Sequence, residues 1–71
     1  MIEIERFNYK GNYKVTLPNS SIREVRPVLK HKHFPEIKSI VYYDNYCWFY
    51  SRETPSKILK KIKKEKEKWQ N

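Results

Sequence analysis

The chain opens on strict alternation. Ile2 and Ile4 are apolar while Glu3 and Glu5 are charged, a period of two that turns one side of an extended strand toward a core. Tyr13, Val15 and Leu17 repeat that period on the far side of N-Y-K-G-N-Y-K, with Lys14 and Thr16 facing the other way. Gly11, the one glycine in the chain, supplies the turn between them. This pattern predicts a hairpin over residues 2–17, with strands at about 2–9 and 13–17 and Pro18 as its end.

From residue 20 the period changes. Ser21 and Glu24 have capping-box spacing, and Ile22, Val25 and Leu29 fall on one helical face. Pro27 removes an amide donor and crowds the preceding turn, so the expectation is a short or kinked helix over 20–30. The basic loop H-K-H-F-P-E follows, with Pro35 biasing Phe34 away from helix. A second pair of β-rich runs, at about 37–43 and 46–52, flanks Asp44-Asn45 as a two-residue turn. Thr54 is a good N-cap and Pro55 suits the first helical position, which starts a helix over 55–69.

The predicted order is ββαββα: one α+β domain over residues 1–71, an antiparallel sheet with a basic amphipathic C-terminal helix. A small antiparallel sheet followed by a helix resembles, in architecture alone, the three-stranded DNA-binding domains of some mobile-element integrases. The resemblance carries no motif and no residue.

The second hairpin holds the unusual residues. In IVYYDNYCWFYS, residues 40–51, six of twelve positions are aromatic, against eleven aromatics in the whole chain. Counting outward from Asp44-Asn45 sets Tyr43 opposite Tyr46, Val41 opposite Trp48, and Ser39 opposite Tyr50, with Ile37 and Arg52 further along that face. The other face holds Tyr42 with Cys47, Ile40 with Phe49, and Lys38 with Ser51. Slipping the register by one residue exchanges the faces. The aromatic face has two uses. It can serve as core in a chain short of aliphatics, or Tyr43, Tyr46, Trp48 and Tyr50 can stack bases, with Arg52 beside them.

Composition sharpens the choice. Apolar content is 38% with no alanine, so large side chains do nearly all the burying in a chain whose size leaves a thin margin of stability. Sixteen Lys and Arg against eight Asp and Glu give a net charge of +8, which attracts polyanions. Residues 57–68 hold seven lysines and two glutamates. At about 100° per residue, Pro55, Ile58, Leu59, Ile62 and Trp69 fall in one arc. Lys57, Lys60, Lys61, Lys64 and Lys68 lie opposite. That stripe suits phosphate contact, and its lack of arginine argues against bidentate base reading. The alternatives are a solvated helix face or an anionic membrane surface.

Other chemistry is thinly represented. Two histidines and one cysteine fall short of a four-ligand zinc site, and no cofactor motif is present. His31 or His33, among lysines, could act as general base in a toxin-type ribonuclease. A single cysteine fits a reducing, cytoplasmic setting, the start lacks signal-peptide character, and no run suits a membrane span. A hairpin edge could pair with a second copy.

The leading expectation is a non-catalytic nucleic-acid-binding protein, its polymer unspecified. Lys57, Lys60, Lys61, Lys64 and Lys68 would contact phosphates and Tyr43, Tyr46, Trp48 and Tyr50 would stack. Arg23, Arg26, His31 and Lys32 would add charge. Second is a small phage or mobile-element protein that binds a host protein or nucleoprotein complex. The ribonuclease is third.

Overall fold

The computed structural model of the protein describes residues 1–68, with side chains as far as Lys66. It is an α+β fold of five strands in two antiparallel sheets and one C-terminal helix. Strands β1 (Ile2–Arg6) and β2 (Tyr13–Leu17) form the first hairpin. Ile2 lies opposite Leu17 and Ile4 opposite Val15, so the alternating apolar residues meet on one side. In the connection, Lys10 N–H donates to Asn8 Oδ1 at 3.0 Å and Gly11 N–H to the Asn8 carbonyl at 3.0 Å. Gly11 has φ of 148°, a conformation that side-chain-bearing residues rarely adopt.

The predicted helix over 20–30 is a strand. A single 3-10 turn, Asn19–Ser21, leads into β3 (Ile22–Pro27), which pairs with β4 (Ser39–Tyr43). The register shifts between Ile22 and Glu24, so the intervening Arg23 is an extra residue. That bulge lets Ile22 and Val25, three residues apart, both reach the core, a spacing that imitates a helix. Pro27 is accommodated because β3 is an edge strand, where a missing amide costs no ladder bond. Leu29, expected on the same buried face, is 98% exposed.

The second hairpin is real but its register is not the expected one. Strand β5 (Cys47–Ser51) pairs with β4 through Tyr43 opposite Cys47, Val41 opposite Phe49, and Ser39 opposite Ser51. Its loop has three residues, Asp44, Asn45 and Tyr46, of which Asp44 (φ 50°) and Tyr46 (φ 68°) are left-handed. One extra loop residue slips β4 by one position and swaps its faces relative to β5.

The two sheets meet where Phe7 N–H, just past β1, donates to the Tyr50 carbonyl at 2.7 Å. Ile2, Ile4, Val41, Phe49 and Ile58 form the main buried cluster, with Val15, Leu17, Ile22, Val25, Tyr43 and Ile62 packed on it, and Ile37 is buried as well. The helix α1 (Pro55–Lys68) supplies Ile58 and Ile62 and rests on β1 and β3. Thr54 caps it, accepting the Lys57 amide at its Oγ1 at 3.2 Å. The helix therefore covers the Val41–Phe49 side of the three-stranded sheet and leaves the other side open. No helix among the described residues is long and apolar enough to cross a membrane.

Candidate nucleic-acid interface

Strand parity builds the open face. Successive side chains alternate, so with Val41, Tyr43 and Phe49 inward, Ile40, Tyr42, Trp48 and Tyr50 point outward. Tyr42 is directly opposite Trp48, and Ile40 opposite Tyr50. On β3, Glu24 continues the first row and Arg26 the second. The Trp48 and Tyr50 rings meet edge-on at 5.1 Å, and the Arg26 guanidinium lies 5.7 Å from the Tyr42 ring centre. Trp48 is 51% exposed, which is high for the largest apolar side chain in the alphabet and leaves ring surface for a ligand.

The loop between β3 and β4 closes one end of this face. His31 Nδ1 accepts the amides of His33 at 3.2 Å and Phe34 at 3.1 Å, which places any ring proton of the neutral form on Nε2. The ring stands edge-on to Tyr50 at 5.0 Å, while Phe34 packs on Phe7 at 4.9 Å. Lys32 and Lys38 are exposed nearby in sequence, and neither has an ion-pair partner among the described residues. At the opposite end, Arg23 ties the hairpin loop to β3. Its Nε donates to the Asp44 carbonyl at 3.0 Å, and its terminal nitrogen donates to Asn45 Oδ1 at 3.0 Å. A shallow concavity of about 730 Å³ lies around this end, with Arg23, Tyr42, Tyr46 and Trp48 on its walls.

The expected stacking set is thus redistributed. Trp48 and Tyr50 are on the open face. Tyr43 is not: it faces the core and packs on Phe49 at 5.6 Å. Tyr42 takes its place, a consequence of the register slip. Tyr46 belongs to neither face; it projects fully exposed from the hairpin loop. Cys47, expected on a face with Tyr42, instead lies opposite Tyr43 and is exposed at the start of β5. Arg52 follows the open-face parity but is engaged by Glu5 at 2.5 Å. That hydrogen bond holds the Glu5 carboxyl below its ordinary value and the guanidinium above its own. Arg26 is raised for the same reason, by its hydrogen bond from Nε to Glu24 at 2.9 Å.

No family model, curated protein or solved structure matches this chain.

The lysine stripe also divides. Lys57, Lys60 and Lys64 are exposed, as is Lys63, and they project from the side of α1 away from Ile58 and Ile62. Lys61 does not belong with them. It turns inward, donating to Glu53 Oε1 at 2.6 Å and to the Glu3 carbonyl at 2.7 Å. The Lys68 side chain and Trp69 lie outside the described residues. Among the described residues, no three His, Cys, Asp or Glu side chains are grouped to hold a metal ion. The lysine stripe and the aromatic face, joined in the sequence reading, sit on opposite sides of the domain.

Proposed function

We propose that this protein binds single-stranded nucleic acid on the open face of its three-stranded sheet. The observation that carries the reading is Trp48, half exposed beside Tyr42 and Tyr50 on a face that no element of the described chain covers. Any base presents a π-face, so such a row accepts many sequences, and each stacked base contributes about 1–3 kcal/mol. Arg26, Lys38 and the loop lysines provide charge for the phosphates on either side. Arg26 keeps part of its planar surface over Tyr42, an arrangement suited to stacking as well as to charge.

The test is titration of labelled single- and double-stranded DNA and RNA at two salt concentrations. We expect single strands to bind best and to weaken as salt rises. Trp48→Ala should weaken single-strand binding by roughly five- to 150-fold, which is the ~1–3 kcal/mol of one stacked base. Its melting should change little, since Trp48 lies outside the core cluster. Absence of binding by the wild type even at low salt would sink the reading.

A second reading, a protein-binding module, draws on Tyr46. A fully exposed tyrosine at a loop tip, beside the concavity lined by Trp48, is the kind of anchor that protein interfaces use. Capture of one host protein that survives nuclease treatment would favour it over nucleic-acid binding.

A further inference from the structure

We infer that the domain bridges two nucleic-acid segments, one on the aromatic sheet face and a second along the lysines of α1. This rests on the single-strand reading above and extends it to a second, independent surface.

Over residues 57–64 the outward side of α1 carries lysines and no acid. Lys57, Lys60, Lys63 and Lys64 are exposed there, and the first turn carries no acidic residue. Glu65 does not offset them from that side; it turns toward the Met1 amino group at 2.6 Å, and its side chain is 14% exposed. Lys60, Lys63 and Lys64 have no ion-pair partner among the described residues, and Lys57 reaches Glu53 only at 4.0 Å.

This arrangement runs against helix stability on two counts. Like charges three or four apart repel, and Lys57 with Lys60, Lys60 with Lys63, and Lys60 with Lys64 are such pairs. The helix dipole adds to this, because it disfavours cations in the first turn, where Lys57 stands. A helix selected only for solubility would mix glutamates among residues 57–64 as well as after them. A polyanion laid along the face removes both penalties. Lysines without arginine fit the phosphate backbone, whatever its sequence.

Geometry makes the second segment distinct from the first. Ile58 shares one core cluster with Val41 and Phe49, and Ile62 packs on that cluster, so the core lies between the helix and the sheet whose other face is aromatic. The domain is 20 to 21 Å across its shorter axes. Phosphates on opposite sides are therefore separated by about two screening lengths at physiological ionic strength and repel each other little. Both faces can be filled at once.

The test uses a short single strand of about eight nucleotides, within the range of ~4–16 that a small single-strand-binding fold covers. One copy is fixed to beads, the protein is loaded at low salt, and a labelled copy is then added. The wild type should retain the label on the beads. The variant K60E/K63E/K64E should still load on the beads but retain at least tenfold less label, with an unchanged circular dichroism spectrum. Trp48→Ala, which keeps the lysine face, should load but likewise retain little label. Loading of the wild type without retention of label overturns bridging and leaves single-strand binding standing. Retention undiminished in the triple variant also overturns it, since some other surface or a second copy then holds the label. Failure of the wild type to load overturns the single-strand reading itself.

Discussion

At the scale of single residues, Glu53 decides how the pieces are joined, and it was invisible as a hub in the sequence. Its carboxylate accepts the Glu5 amide at 2.8 Å and Lys61 at 2.6 Å, and the side chain is only 9% exposed. Its backbone accepts the Ser39 hydroxyl at 2.7 Å and donates to Ser51 Oγ at 3.1 Å, which gives two buried serines their partners. First hairpin, second sheet and helix therefore converge on one residue. Glu53→Ala leaves the Glu5 amide and the Lys61 ammonium without their acceptor, and we expect a loss of about 1–3 kcal/mol in denaturant unfolding. Lys61→Ala should destabilise too, and the double variant should lose less than the sum of the single losses. Lys60→Ala should not destabilise and, by relieving its like-charge pairs, should raise stability slightly, which separates the structural lysine from its exposed neighbours.

Glu5 gives a second residue-scale prediction, in pH. Hydrogen bonding from Arg52 lowers its folded pKa below the ordinary 4.5, so the unfolded chain takes up the proton first on acidification. The stabilisation is complete above that ordinary value and is lost as pH falls through the depressed native one. Thermal melts between neutral and acidic pH should therefore show a steeper loss below pH 4.5 in the wild type than in Arg52→Ala. An equal slope in the two proteins would contradict this assignment.

At the scale of elements, what the sequence revealed and what it concealed have separate physical causes. The first hairpin and the last helix were legible because one periodicity dominates each: Ile2 and Ile4 against Val15 and Leu17, then Ile58 against Ile62 with Thr54 as cap. β3 was concealed by its bulge, which sets Ile22 and Val25 at helical spacing. Pro27 was the signal that pointed the other way, since it suits an edge strand better than a helix interior. The β4–β5 register failed on one loop residue, because no glycine marks the left-handed positions there. Half of the stacking set survived for a simple reason: alternation within β5 is independent of its partner, so Trp48 and Tyr50 kept company while Tyr43 and Tyr42 changed places. Tyr46 holds a φ of 68° in which a residue with a Cβ is strained by about 1–2 kcal/mol. Glycine removes that strain at a smaller entropic cost of about 0.5–1 kcal/mol. Tyr46→Gly should therefore raise stability by up to ~1 kcal/mol in denaturant unfolding. If protein capture is the role of Tyr46, the same substitution should abolish capture while leaving single-strand binding intact.

At the scale of the whole molecule, charge and core size act together. A net charge of +8 on 71 residues means that exposed cations repel one another throughout, and only six hydrophobic side chains are buried among the described residues. Such a domain has little stability to spare, and a polyanionic ligand that binds only the folded form should show itself in melting. At a free concentration of a hundred times its Kd, a single-strand ligand adds about 2.7 kcal/mol. For a domain of this size that corresponds to a rise in Tm on the order of 10–20 °C. Free polyphosphate at matched charge supplies the electrostatic part without any base. The oligonucleotide should therefore raise the Tm of the wild type further than polyphosphate does, and this difference should shrink in Trp48→Ala. Equal shifts from both ligands in the wild type would assign the stabilisation to lysines alone and remove the sheet face from the binding mechanism.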